Sequence, residues 1–212
     1  MVIKMKFPAG VKKTYIAPIS NSNEPKKKIW KANMANKGMP LEDMVNRSNE
    51  YYLSNDIAVI HKKPIPIQIV KVDYPSRNKA VIREAYYRTP STTDYNGVYK
   101  GYYIDFDAKE CSSETSFTLS NIHEHQAIHL HNVKRHGGIG FFLVSFNKYS
   151  EYYLLDVDQY QEFKDKADKG DRKSIPYSFF KESCIKVNSG YMPEIDYLKG
   201  VDILIKKKIE EQ

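Results

Sequence analysis

A chain of 212 residues can bury one substantial core and leaves little for a second. Its hydrophobic share of 41% and charged share of 28% are those of a globular domain, and apolar runs such as residues 138–144 fall far short of a ~20-residue membrane span. Cys111 and Cys184 alone cannot build a disulfide framework or a four-cysteine zinc site, and the N-terminus lacks a secretory signal, so a cytoplasmic setting with no membrane is expected. The net charge of +7 calls for an acidic partner; lysines 26–28 and 206–208 are blocks that would neutralise phosphates.

Residues 1–30 mix prolines, lysines and polar side chains without periodicity and read as a flexible basic arm ahead of a domain over 31–212. From Gly38 the text changes: Pro40 precedes Leu41, Met44 and Val45 at helical spacing, predicting a helix to about Asn55. A short apolar strand over 57–60 follows. Segments 65–72 and 80–87 are β-rich, and the turn-prone residues 73–78 join them into a long hairpin, a stalk spanning about 62–90. Residues 102–109 alternate as a core strand, 121–136 predict a helix, and 138–146 and 152–157 two more strands. A strand over 184–187 and a lysine-rich helix from about Ile195 close the chain. The expected fold is α/β, a single domain whose central mixed sheet is flanked by helices, with the hairpin projecting from it.

The chemistry concentrates between Thr92 and Lys109. Asn96-Gly97 is a hairpin signal that would bring the chain back beside Asp94. Along the returning strand the period of two puts Asp105, Asp107 and Lys109 on one face and Ile104, Phe106 and Ala108 on the other. Carboxylates facing a core strand are paired or bound to metal. Asp94 and Asp107 offer the hard oxygens that suit Mg²⁺, and Lys109 could offset charge on an attacked phosphate. The spacing alone fits equally well a structural Asp–Lys ion pair on a strand face.

The surrounding text narrows this. Asp94 followed by Asp107-x-Lys109 is the pattern of restriction-endonuclease-like nucleases. Lys37-Gly38-Met39, Asn49-Glu50-Tyr51-Tyr52, residues 57–75, Ser91 to Gly101, His123 to Gln126, Arg172 to Pro176 and Gly190 to Tyr197 together resemble the RecU family of Holliday junction resolvases, over roughly residues 33–202. The resemblance implies metal ligands at Thr92, Asp94, Asp107 and Gln126, a transition-state lysine at Lys109 and a stalk-loop arginine at Arg77 needed for activity. It implies Mg²⁺ as cofactor, with Mn²⁺ able to substitute, and four-way junction DNA as substrate in recombination and repair. A homodimer is implied too, with RecA among its partners. The chain departs from the family's pattern at Asp107, where a glutamate is usual, and Thr93 stands where the wider superfamily has proline. A duplex or flap nuclease of the same superfamily and a non-catalytic junction-binding or RecA-modulating protein are the alternatives.

Arg77, Arg83, Tyr86, Tyr87 and Arg88 on the hairpin are expected to contact DNA, aromatic rings stacking on unpaired bases and arginines on phosphates. His123, His125, His129, His131 and His136 crowd the helix over 121–136. A zinc pair at His125 and His129 is weaker than a polar face, because Ala127 breaks the His-Glu-x-x-His pattern and no cysteine is suitably spaced. Glu42 is either a neighbour of the metal or a first-turn carboxylate favoured by the helix dipole.

Overall fold

The computed structural model describes residues 40–88 and 92–210, without the side chain of Arg77. The basic arm over 1–30 lies outside the described residues. Helix α1 (Leu41–Ser54) buries Leu41, Met44, Val45 and Tyr52, the face set by its spacing. Its first backbone N–H donates to the Glu110 carboxylate at 2.6 Å, which satisfies one of the orphan donors at the helix start. Strand β1 (Val59–Lys62) follows. Then come β2 (Ile67–Asp73) and β3 (Val81–Tyr87), joined through a single 3₁₀ turn at Arg77–Lys79. Strands β4 (Tyr95–Tyr99) and β5 (Tyr102–Cys111) carry the acidic segment. After the short β6 (Ser116–Thr118), helix α2 (Glu124–Arg135) crosses over to β7 (Ile139–Phe146), and β8 (Glu151–Asp156) returns. Helix α3 (Val157–Asp168), β9 (Ser174–Pro176), α4 (Tyr177–Ser183), β10 (Ile185–Val187) and α5 (Tyr197–Glu210) complete the order.

The main sheet has the order β1-β4-β5-β7-β8-β10. Only β5 and β7 pair in parallel, so the sheet is mixed as expected. One face packs on α1 and α5 through Phe106, Phe141 and Leu143, the other on α2, α3 and α4 through Phe142, Val144 and Phe146. Tyr95, Phe106 and Phe141 lie side by side across β4, β5 and β7, their rings stacked at 4.9 Å for both pairs, and Tyr197 of α5 tilts onto Phe106 at 5.0 Å. Such ring pairs add about 0.5–1.5 kcal/mol each beyond burial and stiffen the strands that carry the carboxylates. No helix among the described residues is long and apolar enough to cross a membrane.

One local expectation is corrected. Asn96-Gly97 is not a turn: both residues lie inside β4, and the chain reverses at Lys100-Gly101, between the paired Tyr99 and Tyr102. Both turn residues take positive φ, 50° and 81°, as a two-residue hairpin of matching twist requires. Gly97 serves a different need. A Cβ there would stand 2.0 Å from the Val59 carbonyl oxygen, so β1 can approach only a glycine. Gly97→Ala should therefore cost about 3 kcal/mol of stability, read as a lowered urea midpoint, by prising β1 from β4.

The hairpin β2–β3 forms its own two-stranded sheet, and every residue of both strands is exposed except the half-buried Asp73. Two strands without a covered face are marginal alone.

Candidate active site

Asp94 stands immediately before β4, and the β4–β5 hairpin folds the chain back so that Asp107 lies beside it. The Asp94 backbone N–H donates to Asp107 Oδ1 at 3.2 Å. Asp94 is exposed at the mouth; Asp107 is fully buried behind it. The strand alternation delivers Lys109 to the same side, its Nζ 2.6 Å from Asp107 Oδ2 with only 16% of the side chain exposed. Gln126, on the first turn of α2, donates from Nε2 to Asp107 Oδ1 at 3.0 Å, while its Oε1 accepts the His123 backbone N–H at 3.2 Å.

Burial raises the Asp107 carboxyl from its ordinary range to about 6; Lys109 opposes the rise, and the neighbouring Asp94 carboxylate adds to it. Asp107 Oδ2 is ion-paired to Lys109, yet it has no hydrogen bond of proper geometry. A buried acceptor left short beside a second carboxylate is the setting a hard cation completes. The donor set fits: two carboxylates in contact, with the Gln126 amide on one of them. Among the described residues no three His, Cys, Asp or Glu side chains gather into a metal-holding group.

The other expected residues divide. Thr92 is half-buried and its hydroxyl points to the Thr93 carbonyl at 3.4 Å. Gln126 reaches Asp107 with its nitrogen, so offering oxygen to an ion would require the amide to turn and release His123. Glu42 is engaged by Lys62 at the end of β1. His129 is held by Asp105 at 2.9 Å and His125 stacks on His123 at 5.5 Å, so these rings stand as a polar face. On the hairpin, Arg83 pairs with Asp73 at 2.6 Å, Tyr86 donates to Glu84 at 2.6 Å, and Tyr87 is 83% exposed. The Arg88 side chain is exposed and the Arg77 backbone lies in the tip. Sequence reasoning missed the group around Asp105, which joins Lys63, Thr93, Tyr103 and His129. Its one visible signal was Asp105 sharing a strand face with Asp107.

Known proteins resemble this chain over most of its length. The family model for Recombination protein U matches residues 36–203. A Holliday junction resolvase RecU from Bacillus cytotoxicus is 50% identical over 179 residues, covering 84% of this chain and 90% of the relative. One from Ligilactobacillus salivarius is 54% identical over 170 residues, or 80% and 79% of the two chains. One from Oenococcus oeni is 47% identical over 195 residues, or 92% and 95%. With the match running from before α1 into α5 and taking in both carboxylates, Lys109 and the hairpin, the chain belongs to the Recombination protein U family.

Proposed function

We propose that this protein is a Holliday junction resolvase, an endodeoxyribonuclease that nicks four-way DNA junctions symmetrically in recombination and repair. The observation that carries the reading is the Asp94–Asp107–Lys109 group: a carboxylate pair short of one positive partner, with an ammonium beside it, at the foot of an exposed aromatic and basic hairpin.

Asp94 and Asp107 would hold a divalent cation, Mg²⁺ with Mn²⁺ as substitute, and Thr92 and Gln126 would complete its oxygen shell. That ion, when bound, lowers the pKa of water and offsets charge on the attacked phosphate. Lys109, whose ammonium pairs with Asp107, would offset negative charge growing on the phosphate oxygens. Asp107 orders the site by accepting from Asp94 N–H and Gln126. On the hairpin, the Arg83–Asp73 pair is exposed and worth little, so Arg83 can exchange it for phosphate. Tyr86 and Tyr87 present rings to bases unpaired at the junction centre, with Arg88 next to them at the base of the hairpin and Arg77 at its tip. A two-fold junction calls for two sites, hence a homodimer. A cytoplasmic place of action and RecA as a partner complete the proposal.

The test is the cutting of a synthetic four-way junction and of a linear duplex of the same sequence, with and without Mg²⁺. Paired nicks on opposed strands of the junction alone are expected. Equal cutting of both substrates, or binding without cutting in either metal, would overturn the reading.

A linked result concerns pH. Because the folded Asp107 carboxyl is raised to about 6, ionising it penalises the metal-free fold, a penalty absent below its unfolded value and complete above about 6. A bound cation removes that penalty. Mg²⁺ should raise the thermal midpoint at pH 7.5 by about 2–4 °C per kcal/mol of binding, and hardly at pH 5. Calorimetry checks this, and Asp107→Ala should erase the effect.

A further inference from the structure

Asp105 is a second fully buried carboxylate, and nothing in the chemistry above uses it. Both of its oxygens are occupied. Oδ2 lies 2.8 Å from Lys63 Nζ, 2.8 Å from the Tyr103 hydroxyl and 2.9 Å from His129 Nε2. The Thr93 hydroxyl donates to Oδ1. Four separate stretches of chain thus meet on one charge: the root of the hairpin at Lys63, the residue before Asp94, β5 itself, and α2 one turn beyond Gln126.

Lys63 makes a double connection. Its Nζ also reaches the Thr93 hydroxyl at 3.1 Å, and its backbone N–H donates to the Asp94 carbonyl at 2.7 Å. Directly after it come Pro64 and Pro66, with φ locked by their rings. The base of the hairpin is closed there by Arg88 N–H donating to the Pro66 carbonyl at 3.0 Å. The hairpin is therefore tied to Asp94 through a short, stiff path that ends on the Asp105–Lys63 pair.

A buried ion pair is a weak source of stability, since apolar residues of the same volume often serve as well. What it supplies here is direction: four donors aimed at two oxygens hold their segments in one geometry. The geometry points to Asp105 and Lys63 as positioning residues that keep the hairpin root and the Asp94 backbone in register, so that cutting depends on how the hairpin is seated. This rests on the resolvase reading.

The experiment uses the full chain as Lys63→Met, Lys63→Arg and the double variant Lys63→Met/Asp105→Asn, which leaves no unpaired buried charge. Thermal midpoint, kcat and KM on a four-way junction, and Mn²⁺ binding by electron paramagnetic resonance are measured for each. Lys63→Met should lower kcat about 10²-fold, the scale of a misplaced reacting group. KM should stay within about twofold. Mn²⁺ binding should weaken about tenfold, as for other groups that orient metal ligands. Lys63→Arg should recover much of the rate. The double variant should regain the wild-type midpoint yet remain slow and weak for Mn²⁺. A double variant with wild-type rate and wild-type Mn²⁺ affinity would reduce the pair to a structural one and overturn the inference. If the wild type cuts no junction, the resolvase reading fails by itself. Mn²⁺ binding then decides the positioning role: a loss in both methionine variants upholds it, and unchanged affinity overturns it.

Discussion

Asp94→Asn and Lys109→Ala should each reduce junction cutting by about 10³-fold while leaving junction affinity within about a factor of ten, or 1.4 kcal/mol. Asp94 is exposed at the mouth of the site and Lys109 is ion-paired to the buried Asp107, and on the proposed reading both would act where the phosphate is attacked. Affinity instead draws on many dispersed cations, and losing one changes it little. The Asn variant keeps the backbone N–H that bonds Asp107, so its fold should be intact. Lys109→Ala removes the positive charge that opposes the rise of the Asp107 carboxyl, which should push that group's pKa higher still. Single-turnover cleavage beside an electrophoretic binding titration, both without denaturant, tests the pair. Parallel loss of binding and cutting would reassign these residues to DNA affinity.

Replacing residues 73–79 by a two-residue Asn-Gly turn should weaken junction binding about 10²-fold, the scale of one base–aromatic stack lost at Tyr74. Cutting should fall at least as far, and affinity for linear duplex should change much less. The segment holds Tyr74, which is 65% exposed, and the Arg77–Lys79 turn, and it bears no part of either buried cluster. The core should accordingly survive, with a thermal midpoint near that of the wild type. Competition between labelled junction and unlabelled duplex measures the discrimination directly. A shortened hairpin that still resolves junctions at the normal rate would move recognition to the body of the domain.

Much of this protein is legible before any coordinates. Period-two alternation put Asp105, Asp107 and Lys109 on one face of β5, because adjacent strand residues must point to opposite sides. Helical spacing after Pro40 marked α1 and its buried face, and the β-rich segments around residues 73–78 marked the hairpin. Local rules suffice where the determinant is local. They failed at Asn96-Gly97, where the glycine answers to the carbonyl of Val59 on another strand rather than to a turn. Composition could not reveal that Asp107 is buried to the point of a raised pKa, nor that Gln126 shows it nitrogen while capping α2. Least visible was the convergence on Asp105, whose partners Lys63, Thr93 and His129 come from the hairpin root, the approach to β4 and α2. Sequence by itself determined which residue types share a strand face and where the chain turns polar. Only tertiary structure decided that both oxygens of Asp105 are hydrogen-bonded while one oxygen of Asp107 is not, because burial and partner geometry depend on segments distant along the chain.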